Sequence, residues 1–162
     1  MIPLAFGLAL SLSGFAQAVQ NAQALAAEGR KLLEASRLED ARARLEQAAS
    51  LEPGWATPQL LLGRVHEARR ALPAAAAAYE RALRADPDLA EAHDGLGFVL
   101  GQLGQTADAV YRFRRAAELK PDLFEAHYHL GATLWWTRDY AGARPALETA
   151  VRAGFSNQGQ IC

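Results

Sequence analysis

The 162 residues carry 17 Lys and Arg against 18 Asp and Glu, a net charge of −1, and are 51% hydrophobic but only 8% aromatic. Near-neutral charge argues against a nucleic-acid binder that works by neutralising phosphates, and a single cysteine, Cys162, excludes an internal disulfide or a Cys-based zinc site. The Ala, Leu, Arg and Glu that dominate the chain are helix formers rather than sheet formers.

No charged side chain precedes Glu28. Residues 2–12 are apolar or small and are followed by Ala16-Gln17-Ala18, a short hydrophobic run ending in a small-x-small triplet. That is the pattern of a secretory signal peptide, read here as residues 1–18, and it places the protein in the periplasm or outside the cell. The run is about half of the roughly 20 residues a helix needs to cross a bilayer, so no stable membrane span is expected. A basic segment before the run is missing, since no Lys or Arg precedes Arg30. A membrane-anchored or cytoplasmic protein is therefore the alternative.

The rest of the chain is periodic. Pro53, Pro87 and Pro121 are spaced 34 residues apart, and blocks of that length fall at 22–55, 56–89, 90–123 and 124–157, with a short tail at 158–162. The eighth position of the four blocks is Gly29, Gly63, Gly97 and Gly131. The twentieth is Ala41, Ala75, Ala109 and Ala143, and the twenty-seventh is Ala48, Ala82, Ala116 and Ala150. The twenty-fourth is always large: Leu45, Tyr79, Phe113, Leu147. Within each block apolar residues recur three or four apart in two stretches, which predicts two amphipathic helices. Gly104 falls just past the first stripe of its block, where a helix can end in a left-handed residue without a Cβ clash. Each proline stops the second helix, since it lacks an N–H and disfavours helical geometry in the residue before it. Pro145 lies deeper in the last helix and is expected to loosen its first turns.

This arrangement resembles the tetratricopeptide (TPR) repeats, whose pattern is a Leu-Gly pair followed at fixed offsets by Ala, a large residue, Ala and Pro. The third block matches most fully, with Leu96-Gly97, Gly104, Ala109, Phe113, Ala116 and Pro121. The fourth block diverges, with Phe155 where proline is due. The resemblance implies an all-α fold, a right-handed α-solenoid of stacked antiparallel helix pairs with a concave face made by the first helices. One hairpin cannot bury its own apolar face, and stacking supplies the core.

Sites for chemistry are not singled out. His93 and His127 share the fourth position of successive blocks, where the TPR pattern has a packing residue, and His66 stands where the family often has Tyr. His127 and His129 are two apart and so do not share a helix face. No nucleophile–base pair, phosphate loop or metal-ligand spacing is present. The expectation is a protein that is not an enzyme, with no catalytic residue, metal or cofactor.

The resemblance also implies a function: binding a peptide or helix of a partner protein in the concave groove. In peptide-holding TPR proteins the second, fifth, sixth, ninth, twelfth and thirteenth positions tend to face the groove. The ninth gives Arg30, Arg64 and Phe98, the sixth gives His129 and the thirteenth gives Trp136. These five are the candidate partner-binding residues, cationic toward the N-terminal end and aromatic toward the C-terminal end. Of Trp135 and Trp136, at least one is expected to be partly exposed, because neighbours in sequence cannot both enter one core. The Lys and Asn set with which some TPR modules clamp a C-terminal carboxylate is not found at the matching positions.

The chain closes on Gly154-Phe-Ser-Asn-Gln-Gly-Gln-Ile-Cys162, a stretch too short and too rich in Gly and Gln for the polar capping helix that usually ends such arrays. That leaves two alternatives to the groove binder. One is a structural subunit that self-associates through the uncapped C-terminal repeat, and the other is a shortened fragment of a larger TPR protein.

Overall fold

The computed structural model describes residues 4–158, with side-chain surroundings from residue 16 to residue 154. Residues 1–3 of the expected leader, and residues 159–162 of the tail with Cys162, lie outside them. Among the described residues there are eight helices and no strand: α1 Leu4–Glu34, α2 Leu38–Leu51, α3 Ala56–Ala68, α4 Leu72–Ala85, α5 Ala90–Gln102, α6 Thr106–Leu119, α7 Phe124–Trp136 and α8 Tyr140–Gln158. They pack as four pairs, α1 with α2 through α7 with α8, and each pair stacks on the next.

The glycine and large-residue positions explain how closely the two helices of a pair approach. A Cβ on Gly29 would lie 2.6 Å from Leu45 Cγ, and one on Gly63 would lie 2.4 Å from the Tyr79 ring. Gly97 faces Phe113 at 2.8 Å, and Gly131 faces Leu147 at 2.6 Å. Each large side chain of a second helix therefore sits in the notch its first helix leaves. The repeated alanines at 41, 75, 109, 143, 48, 82, 116 and 150 are all buried beside these contacts. Small residues admit the neighbouring backbone, and large ones fill the space that remains.

The turns between the helices of a pair share one geometry. Residues 36, 70, 104 and 138 all have left-handed backbone, with φ of 58°, 59°, 81° and 65°. At each, the next N–H bonds five residues back, as Ala71 N–H does to the His66 carbonyl at 2.9 Å and Gln105 N–H to Leu100 at 2.9 Å. This is the Schellman closure of a helix C-terminus. Gly104 satisfies it without strain, whereas Ser36, Arg70 and Arg138 adopt it at a steric cost. Arg70→Gly is expected to stabilise the array by about 1 kcal/mol and Gly104→Ala to destabilise it by a similar amount. Urea midpoints check both, and an Arg70→Gly variant weaker than the parent would contradict the strain.

The turns between pairs rest on the prolines. Glu52, Asp86 and Lys120 leave the helix with ψ of 81°, 97° and 86°, as a residue before proline must. The chain then turns so that the N–H of Trp55, Leu89 and Leu123 returns to the carbonyls of Glu52, Asp86 and Lys120. Proline at the second position of such a turn has its φ already set. His93 and His127 add a ring contact here, each placing Nε2 about 3 Å from the carbonyl of Pro87 or Pro121.

Both ends differ from the block pattern. Residues 4–18 of the expected leader form the first half of α1, which runs without interruption through Ala16-Gln17-Ala18 into the packed region that begins at Ala22. At the other end α8 passes both Pro145 and Gly154 and reaches Gln158 as helix. Phe155 stands where Pro53, Pro87 and Pro121 stop the earlier second helices, so nothing ends α8 at that point.

Candidate functional site

The stack is tighter on the side of the first helices. Each comes within 8 Å, Cα to Cα, of the next first helix, α1 with α3, α3 with α5 and α5 with α7, while no two successive second helices approach that closely among the described residues. A stack closer on one side curves toward it, so the first helices line the concave face. Three cavities follow one another along that face.

The first, about 510 Å³, is bounded by Arg30, Lys31 and Glu34 of α1, Trp55 of the turn, and Thr57 and Leu61 of α3. The second, about 410 Å³, is lined by Arg64, Glu67, Tyr79, Glu91, Asp94, Phe98 and His129. The third, about 340 Å³, lies between Phe98, Gly101, Phe113, His129, Ala132 and Trp136. Volumes of this size are also those of small-molecule clefts, so it is the succession of three along one face, not their size, that fits a guest segment lying across the first helices.

The second cavity is built around Tyr79. Its ring is wedged between Gly63 of its own pair and Gly95 of the next, where an added Cβ would come within 2.5 Å of the ring. The hydroxyl donates to Glu67 Oε2 at 2.9 Å. Burial pushes the Glu67 carboxyl above the usual carboxylate range, against the lowering effect of that hydrogen bond. Burial and the adjacent Glu67 charge together drive the phenol far above its ordinary value. Glu91 accepts from Lys120 Nζ at 2.8 Å. Burial opposes its charge, and the lysine outweighs burial to hold the carboxyl below its ordinary value.

His129 ties α7 to α5, with Nδ1 2.8 Å from Asp94 Oδ1. Its ring lies among Phe98, Phe113 and Tyr128, with centroids 5.3–5.8 Å away. Burial works against the imidazolium, but the hydrogen bond and charge of Asp94 overcome it and raise the pKa above 6.5. A histidine whose folded pKa is raised stabilises fully below its unfolded value, and that gain is lost as pH rises through the folded pKa. His66 and His93 run the other way. Burial first, and then nearby arginines, hold both below 6.5, so protonating them as pH falls costs stability. Stability is thus expected to peak near pH 6.5. Asp94→Asn should remove the decline on the alkaline side, as read from melting temperatures between pH 6 and 9. An unchanged alkaline limb would show that His129 does not supply it.

The five residues expected in the groove all border these cavities. Arg30 lines the first and Arg64 the second; both are exposed and neither has an ion-pair partner among the described residues. Phe98 and His129 form the wall shared by the second and third, and Trp136, 86% exposed, stands at the rim of the third. Trp135 is 59% exposed and meets Tyr140 edge-on at 5.0 Å. Beside the five, the structure adds Glu91, Asp94 and Glu67, which occupy the second, fifth and twelfth positions of the groove register. They set three carboxylates beside Arg64 and His129 in the middle of the face, while the first cavity has Arg30 and Lys31 with Glu34. Trp55 in a turn and Tyr79 on a second helix lie off that register.

Among the described residues no group of three His, Cys, Asp or Glu side chains could hold a metal ion, and no helix is long and apolar enough to cross a membrane. A tetratricopeptide repeat family model matches residues 26–90, and a second TPR repeat model matches residues 102–135. No curated protein matches the chain. Among solved structures it is similar to MamA, at 20% identity over 86% of this chain and 81% of that one, with a TM-score of 0.75. PilF of Pseudomonas aeruginosa is 22% identical with a TM-score of 0.77, covering 86% of this chain and 63% of PilF. The first TPR of Spaghetti (RPAP3), bound to an HSP90 peptide, is 18% identical with a TM-score of 0.70, over 74% of this chain and 94% of that one. At such identities the likeness is one of fold.

Proposed function

The chain belongs to the tetratricopeptide repeat family, and on that footing we propose that it is a non-catalytic interaction module holding a peptide or helix of a partner protein in its concave groove. The observation that carries this is the run of three cavities along the first helices, bordered by Arg30, Arg64 and Trp136, side chains the core does not use. Exposed Arg and Trp are the residue types that most often anchor partners. The RPAP3 repeat, with a peptide bound, supports the idea that an array of this shape can take one.

Affinity capture from native extract with the full chain as bait supplies the partner for the test. Arg64→Ala combined with Trp136→Ala is expected to weaken the captured complex by tenfold or more, about 1.4 kcal/mol, without lowering the melting temperature. Unchanged binding would refute the groove assignment. The proposal includes export, from the apolar run and the Ala16-Gln17-Ala18 triplet. Intact-mass measurement of exported protein should then show a chain without residues 1–18, and a mature chain beginning at Met1 would remove the cleavage.

A second reading, assembly through the last pair, is favoured by one observation. Val151 is 56% exposed and, with Leu147, Glu148 and Arg152, borders a cavity of about 470 Å³ on the outer side of α8. Concentration-dependent sedimentation would support assembly, whereas a stable monomer would support the groove binder.

A further inference from the structure

The groove reading leaves open what kind of segment the groove takes, and the second and third cavities narrow it. Glu67, Glu91 and Asp94 face the second cavity against Arg64 and His129, and Lys120 reaches Glu91 from the turn after α6. Glu67 is the carboxylate least provided for. It accepts the Tyr79 hydroxyl, and no Lys, Arg or His lies within ion-pair distance of it among the described residues. Burial opposes its charge and Arg64 and His129 act on it only through space, so a guest cation within hydrogen-bonding distance would supply the direct partner it lacks.

Carboxylates alone would specify little, but the adjoining cavity gives them a context. Phe98 and His129 are the common wall of the two, and on its far side Phe113, Ala132 and Trp136 surround an apolar space of about 340 Å³. A guest filling both must present two side chains a single wall apart. Residues three or four apart on one helix face, with Cβ atoms about 5–6 Å from each other, meet that condition.

Resting on the groove reading, we infer that the groove selects a partner segment in which an Arg or Lys stands within one helical turn of a large apolar side chain, the cation entering between Glu67 and Asp94 and the apolar group between Phe98 and Trp136. Charge complementarity favours a cation over an acidic side chain beside Glu67, since Lys120 already holds Glu91, His129 holds Asp94, and Glu67 has no ion-pair partner among the described residues. The planar guanidinium suits the site better than an ammonium, because it can donate to two carboxylates at once and stack on the Phe98 ring.

The test is a random peptide library displayed on phage and selected on immobilised full-length protein. The wild type should enrich peptides that pair Arg or Lys with Trp, Phe or Leu at a spacing of up to four residues. A synthetic peptide from that set should lose about tenfold in affinity when its cation becomes Glu. Selection on Glu67→Gln combined with Asp94→Asn should keep the apolar preference and lose the cationic one. Both changes leave hydrogen-bonding groups for Tyr79 and His129, and circular dichroism establishes that the double variant is folded. Selection on Phe98→Ala with Trp136→Ala should do the reverse. Enriched peptides that compete for the groove but carry no cation would overturn this inference and leave the groove reading standing. Peptides whose binding ignores all four substitutions would overturn the groove reading itself, and no enrichment over a scrambled control would count against both.

Discussion

Replacing Tyr79 with alanine is expected to cost about 3–5 kcal/mol, the largest loss from any single truncation in this chain. The side chain is 1% exposed and is among the largest fully buried ones. Its counterparts Leu45, Phe113 and Leu147 each fill the notch of one glycine in their own pair, whereas Tyr79 fills two, Gly63 of α3 and Gly95 of α5. Truncation therefore opens a cavity at the junction of the second and third pairs and leaves Glu67 without its donor. In a repeat array stability is close to a sum of unit and interface contributions, so damage at an interface should also uncouple the halves. The urea transition is expected to move to a lower midpoint and to broaden or split. Tyr79→Phe keeps the ring and should cost only about 1 kcal/mol, the worth of one hydrogen bond. An alanine variant losing less than the phenylalanine variant would mean that the wedge does not hold the two pairs together.

Replacing Pro145 with alanine is expected to raise stability by up to about 3 kcal/mol, the usual cost of proline inside a helix. Pro145 is the sixth residue of α8, beyond the first turn in which a missing N–H goes unnoticed. The helix there has begun its own bonding, with Ala143 N–H on the Asp139 carbonyl at 2.9 Å, and Pro145 cannot make the equivalent bond to Ala141. The same position of the other second helices holds Ala43, Ala77 and Tyr111. The gain should be local to the last pair. Hydrogen exchange is expected to slow in α7 and α8 and to change little in α1 to α4. No increase in protection in α8 would show that the surrounding packing already absorbs the proline.

Much of the fold was legible in the sequence, because what repeats is recorded four times. The spacing of Pro53, Pro87 and Pro121 marks the turns, and glycine at the eighth position with a large residue at the twenty-fourth describes how two helices meet. Groove candidates were legible for the same reason: a position that faces inward in one unit does so in the next. Glu67, Glu91 and Asp94 are legible in that register too, at its twelfth, second and fifth positions.

What the sequence did not carry are contacts made once. Asp94 and His129 meet across neighbouring first helices, Tyr79 reaches Gly95 of the following pair, and Phe98 becomes a wall between two cavities. Each depends on how one pair is set against the next, which no 34-residue period records. The left-handed turns at Ser36, Arg70 and Arg138 are a related case, since glycine marks only one of the four equivalent positions. The sequence by itself determined the helix pairs, their spacing and the residues available to a concave face. Only the tertiary structure decided that this face gathers three carboxylates at its middle, one of them without an ion-pair partner among the described residues, and is apolar beside them, because stacking brings together side chains that local periodicity keeps apart.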